Sequence, residues 1–422
     1  MRLTRRVAVL AVASLTALVA CAPGADSGSD DENVTLSVWG WGPEANYDKM
    51  FAEYTKDNPG VKVDARSFTT ATEYDTILST GLAGKDGPDV AWLRAGAPLQ
   101  PLVAAGRLVP LDNSSVPGLA DFNAGVLQGA KGDTDGKVYG VPFAIQTLHV
   151  IYNKKIFADN GIAPPKTWED MIAAAQKLQA AKIVPFAVGG KDDWTLPIIT
   201  SIFGTSRWGG DAFLDEVKAG KKTFADPNFV AGVDLVNQLK PYFPKDVAGV
   251  SYTDAQTLFS AGKAAMFPGG IWEVNFFRTN APGLDLGTFS APPPPGSVAG
   301  KALLPGFMDG SYGVSANSKH REEALKLLSW LASKKYGQLY TDTVVQFSAV
   351  PGVEPKDPIL REVAGTYTSN GARYFMNEFA YGNPSSQTVF SAALQEMLLG
   401  RITAAQAAAK LDASVATWLK PR

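Results

Sequence analysis

Two hydrophobic periods alternate along this chain, and their order predicts its architecture. Residues 34–40 (VTLSVWG) and 61–68 (VKVDARSF) are short runs rich in β-branched residues and read as strands. Between them, residues 43–57 read as a helix closed by Asn58, Pro59 and Gly60. A second helix is expected over 73–83, a third strand over 89–93 after Gly87 and Pro88, and a short helix over 99–105. Strand and helix in strict alternation predict an α/β layer with a largely parallel sheet.

Further strands are expected over 137–143, 148–152, 184–188 and 313–316. Thr167, followed by Glu169 and Asp170, has the form of an N-cap with acids in the first turn, and its helix should run to about Ala180. Ala324, Leu327, Leu328 and Leu331 form a helical stripe within 321–333. Phe390, Ala393, Leu394 and Met397 form another, and Ala408, Leu411, Val415 and Trp418 a last one. Pro292 to Pro295 belongs to an extended loop.

The amino end departs from both periods. Arg2, Arg5 and Arg6 precede about 14 mostly apolar residues, 7–20, too few to span a bilayer and suited to an export signal. That run ends LVAC, residues 18–21, which resembles a bacterial lipobox. The resemblance implies that Cys21 is lipidated and anchors the chain to the outer face of the cytoplasmic membrane. Thr4, Arg5 and Arg6 are faintly similar to a twin-arginine signal, which Ala8 and Val9 fit poorly. Cys21 is the single cysteine, which excludes an intramolecular disulfide. Residues 22–32 (APGADSGSDDE) are small, polar and acidic, as a tether would be.

Beyond the tether about 390 residues remain, enough for two domains. A net charge of −2 without a basic cluster gives no footprint for nucleic acid. Two histidines, His149 and His320, make a histidine metal site unpromising, and neither a phosphate-binding loop nor a nucleophile elbow occurs. Residues 40–45 do match G-x-G-x-x-A, with Asp64 near the end of the next strand, as in a dinucleotide site. Bulky Trp41 and Pro43 oppose that reading; the glycines are expected to let the chain turn at the strand's carboxyl end.

Motifs in the middle of the chain are more specific. Residues 137–154 (KVYGVPFAIQTLHVIYNK), Gly87 to Val90, FSAGKAAM at 259–266 with GGIW at 269–272, Gly313 to Ala316, and Val350-Pro351 occur in an order that resembles family 1 extracellular solute-binding proteins, the group that includes maltose-binding protein. His149 departs from the small residue usual at its position. The resemblance implies a two-lobed, periplasmic-binding-protein-like α/β fold with discontinuous lobes and a hinged cleft. The first lobe would take residues 33–145 and 309–352, and the second 146–308 and 353–422. It also implies a function: capture of a mono- to oligosaccharide for the permease subunits of an ABC transporter, by a monomer, without a cofactor or a catalytic step.

Sugars offer apolar C–H faces to aromatic rings and hydroxyls to planar polar groups. The expected ligand contacts are therefore Trp41, Glu44, Arg94, Gln146, Asp193, Trp194, Trp272, Asp309, Arg373 and Phe375, at strand ends and crossings. Trp272 aligns with a stacking aromatic of the family and Gln146 with a polar sugar ligand, while Tyr152 and Asn153 read as structural. Arg94 and Arg373 leave an acidic or phosphorylated ligand open. An exported glycosidase or nucleotide-dependent enzyme, and a ligand sensor, remain alternatives at this point.

Overall fold

The structure is a computed structural model that describes residues 34–42, 44–68 and 71–420. The expected signal, Cys21, the tether and Pro43 lie outside the described residues. The chain lays down β1 (Val34–Trp41), β2 (Val61–Phe68), β3 (Val90–Arg94) and β4 (Val141–Pro142). There follow β5 (Ala144–Asn153), β6 (Val184–Phe186), β7 (Ala264–Gly270), β8 (Leu286–Phe289) and β9 (Leu304–Met308), then β10 (Gly310–Val314), β11 (Phe347–Ser348) and β12 (Gly371–Arg373).

Two sheets result. The first has five strands in the order β2-β1-β3-β10-β4, with β1 parallel to β2 and β3 and β10 antiparallel to β3 and β4. The second has seven strands in the order β12-β9-β5-β7-β6, with β8 and β11 also on β5. Each sheet has its own core. Leu36, Val38, Trp92 and Val141 pack with Tyr312, Leu327, Leu331 and Tyr336. Val150, Phe186, Ile202 and Phe229 pack with Phe390, Leu394 and Leu411, while Ile151, Phe267, Val274 and Phe277 form a further cluster with Leu360. The chain passes between lobes at β4–β5, at β9–β10 and between Val350 and Pro358.

Local chemistry explains the elements. Helix Glu44–Asp57 buries Tyr47, Met50, Phe51 and Tyr54, one stripe of a 3.6-residue period. Thr167 Oγ1 accepts from the Asp170 N–H at 3.1 Å while Asp170 Oδ2 accepts from the Thr167 N–H at 3.0 Å, closing a capping box. In the G-x-G-x-x-A stretch, a Cβ on Gly40 would lie 2.5 Å from Tyr47 Oη, and Gly42 has φ +111°. These glycines thus admit a tyrosine and make a turn, with no phosphate needed to explain them.

The strand expected over 137–143 is reduced to Val141–Pro142, because Val138 pairs outside the sheet with Leu111 and Lys131. The strand expected over 148–152 instead spans Ala144–Asn153 and becomes the hub of the second sheet. Among the described residues no helix is long and apolar enough to cross a membrane.

Candidate functional site

Topology directs many strand ends to one place. In the first sheet the carboxyl ends of β1 and β3 stop at Trp41 and Arg94, and β10 begins opposite Arg94 at Gly310. In the second sheet β6 and β7 end at Phe186 and Gly270, with Gly270 opposite Leu148 in the half of β5 nearer the crossing. Carboxyl strand ends are where open α/β sheets bind ligands.

On the first-lobe side, half-buried Trp41 stacks on Trp92 with ring centroids 3.2 Å apart and planes 23° apart, and Tyr74 tilts against Trp41 at 5.5 Å. Arg94 pairs with Asp75 at 3.0 Å. Gln146 Nε2 donates to Asp309 Oδ2 at 3.0 Å and to Gln346 Oε1 at 2.8 Å, and the Tyr340 hydroxyl donates to the same Gln346 oxygen at 2.8 Å. Gln146 Oε1 is buried without a hydrogen-bond partner. An acceptor left so costs roughly 1–3 kcal/mol, which a donor from a bound molecule would recover. Burial pushes the Asp309 carboxyl up, against the pull of the Gln146 amide and the Arg94 charge. Burial likewise raises Asp75, opposed by Arg94.

On the second-lobe side, Gly270 lets the Trp272 ring lie against the backbone: a Cβ there would come within 1.9 Å of the indole. Trp272 Nε1 donates to the Tyr252 hydroxyl at 2.8 Å, which itself donates to the buried Glu273. Trp194 packs on Tyr252 at 4.4 Å and edge-on to Trp272 at 6.5 Å. These three rings line a small pocket with Val188, Ile198 and Pro268.

The structure thus groups Trp41, Arg94, Gln146 and Asp309 at one rim, and Trp194 and Trp272 at the other. Glu44 is exposed in the first turn of its helix just beyond Trp41, and Asp193 is exposed just ahead of Trp194. Tyr374 is buried against Phe307 and Phe375, and that burial raises its pKa. One expectation needs correction. Phe375 is 1% exposed and sits among Trp208, Phe224, Phe229 and Phe390, so its ring is core and has no free face for a ligand. Arg373 is held by Asp211 at 3.3 Å, Asp215 at 2.5 Å and Glu378 at 3.0 Å, a clamp between segments of the second lobe.

Sequence reasoning missed Asp75, Trp92, Tyr252, Glu273, Tyr340 and Gln346. Tyr252 had one signal, the Ser251/Asp254 capping box that opens its helix; an acid such as Glu273 at a helix start reads as a response to the helix dipole. Among the described residues no acid, histidine and cysteine cluster could hold a metal ion.

Residues 40–338 match the family model for bacterial extracellular solute-binding proteins. The chain belongs to that family. It is a family of binding proteins, not enzymes. This solute-binding protein is 26% identical over 373 residues to the multiple sugar-binding protein of Streptococcus mutans serotype c, covering 84% of each chain. It is also 26% identical over 384 residues to the galactooligosaccharide-binding protein of Bacillus subtilis, covering 87% of this chain and 85% of that one. A solved chitin oligosaccharide binding protein superposes with a TM-score of 0.77 at 24% identity, over 92% of this chain and 99% of that one. That likeness carries the two-lobed, periplasmic-binding-protein-like fold.

Proposed function

We propose that this extracellular solute-binding protein captures a neutral mono- to oligosaccharide between its lobes and presents it to the permease subunits of an ABC transporter. It would act as a monomer, tethered to the membrane's outer face by lipid on Cys21. The observation that carries the reading is the pair of half-buried indoles, Trp41 and Trp272, at strand ends of opposite sheets. Indole faces suit the C–H faces of pyranose rings. Between them Gln146, Arg94, Asp309 and Asp193 supply the mixed donors and acceptors that hydroxyls need. Relatives named for multiple sugars, galactooligosaccharides and maltotriose support the same ligand class.

Charge favours a neutral sugar over an acidic or phosphorylated one. Arg94 is already paired with Asp75 and Arg373 with three acids, while Asp309 and Asp193 add negative charge to the rims. The lobes would close by hinging at the three crossings, as in other two-lobed binding proteins.

A thermal-shift screen tests this reading with raffinose, a galactooligosaccharide, maltotriose, a chitin oligosaccharide, a uronic-acid oligosaccharide and glycerol phosphate. A ligand that binds the folded state raises the melting temperature by mass action. The expected outcome is a saturable shift with a neutral sugar, abolished by Trp272→Ala. A shift only with glycerol phosphate or the uronic-acid oligosaccharide would overturn the neutral-sugar assignment.

A further inference from the structure

We propose that Glu273 is a positioning residue for the ligand platform: through Tyr252, its buried carboxylate fixes the orientation of the Trp272 indole. The proposal rests on the reading of Trp272 as a stacking surface. The chain of contacts is continuous. Gln256 Nε2 donates to both Glu273 oxygens, at 3.1 and 3.0 Å, and the Tyr252 hydroxyl donates to Glu273 Oε1. With its hydrogen committed to the carboxylate, the Tyr252 oxygen offers lone pairs to the Trp272 N–H, which approaches at 2.8 Å. Direction matters here: an indole N–H can only donate, so Tyr252 must accept, and the Glu273 carboxylate is what turns it that way.

These partners suit the ionised form. Each of them donates, and a neutral acid would set its own O–H against the Gln256 N–H. Glu273 is nevertheless wholly buried, where a carboxylate is expensive. Burial pushes the carboxyl up to about 7, against hydrogen bonds from Tyr252 and Gln256 that pull it back. The network therefore titrates near neutrality. Below that range a proton on Glu273 competes for the hydroxyl and the amide, and the indole loses its fixed partner.

The groups that surround Glu273 keep this titration its own. Tyr252 is raised by burial and stays neutral, and Asp192, which accepts from the Tyr252 N–H at 2.7 Å, lies behind it. His149 is the β5 partner of Gly269, and a Cβ on Gly269 would lie 3.7 Å from Glu273 Cγ, so His149 shares that face of the sheet. Burial lowers the His149 pKa to about 3, so it adds no charge near neutrality. Arg278, five residues on in the same helix, is committed to Asp357 at 2.5 Å.

The test follows the indole N–H resonance of Trp272 on the full 15N-labelled chain, identified by its disappearance in Trp272→Phe. In the parent chain it should shift with a midpoint near pH 7. In Glu273→Gln it should stop titrating, and in Tyr252→Phe it should both move and stop titrating, which keeps the test decisive should either variant fold poorly. A resonance that keeps the parent position and pH profile in both variants would overturn the proposal. The ligand reading fails separately, when Trp272→Ala leaves the sugar-induced melting shift intact.

Discussion

Gln146 and Asp309 lie 163 residues apart and meet at 3.0 Å, where the first and second crossings between the lobes run side by side. The same Gln146 amide reaches Gln346 at 2.8 Å, beside the short β11 strand that precedes the third crossing. One side chain thus joins all three connections, and its buried, unpartnered Oε1 is available to a donor.

Gln146→Ala should therefore weaken sugar binding and stability together. Losing a buried amide with two acceptors should lower stability by about 1–3 kcal/mol, read as a fall in melting temperature. Gln146→Glu should do more harm at pH 8 than at pH 5. It places a second carboxyl against Asp309, whose own pKa burial has already raised, and the pair can share a proton only at the lower pH. Equal melting losses at both pH values would refute this.

Gly270→Ala tests the seat of Trp272. The new methyl would stand 1.9 Å from the ring, so the indole must leave its place or the backbone must move. Sugar affinity should fall about five- to tenfold, as for loss of a stacking partner worth roughly 1–1.5 kcal/mol. Gly300→Ala is a suitable control for added bulk at a glycine, since nothing lies within 4 Å of its Cβ position, although its φ of +63° adds backbone strain. Calorimetric titration with the sugar selected by thermal shift would check both.

The parts that were legible in the sequence are those set by local rules. Helix Trp168–Ala180 begins at Thr167 because a hydroxyl and an acid three residues apart satisfy two backbone donors, which can be read letter by letter. The stripe Ala324, Leu327, Leu328 and Leu331 is buried for the same reason. Trp41, Arg94 and Trp272 could be singled out because strand ends and glycine turns mark them. What could not be read depends on register between distant segments. Gln346 meets Gln146 only through the pairing of Phe347 with Ile145, and Tyr252 meets Trp272 only because their helices flank β7. Phe375 misled because an aromatic beside an arginine looks the same whether the ring faces a ligand or five other rings.

Arg373→Ala should separate structure from binding. Its guanidinium holds Asp211, Asp215 and Glu378, and removing it strips that cation from Asp211 and Asp215 while Glu378 keeps Lys218 at 2.8 Å. The group is partly exposed and screened, so a stability loss of only about 1 kcal/mol is expected. Sugar affinity should stay within about twofold of the parent, below the ~1.4 kcal/mol that a tenfold change represents. A tenfold loss in calorimetric affinity would return Arg373 to the binding site.

His149→Val should make the fold more tolerant of acid. Both ring nitrogens of His149 are buried without partners, and burial lowers its pKa from 6.5 to about 3. The unfolded chain takes up a proton near 6.5 that the folded chain refuses, so stability is lost as pH falls from 6.5 toward 3. By pH 4.5 the loss should approach roughly 3 kcal/mol. Glu273 acts with the opposite sign. Its pKa rises from 4.5 to about 7 on folding, so its contribution favours the fold at low pH and is lost as pH rises through the same window. In the parent chain the two slopes offset each other, and a single melting curve against pH would show little. The difference between His149→Val and the parent isolates the imidazole: it should be small at pH 7.5 and grow steadily toward pH 4.5. A difference that does not change with pH would mean that His149 finds a partner when protonated.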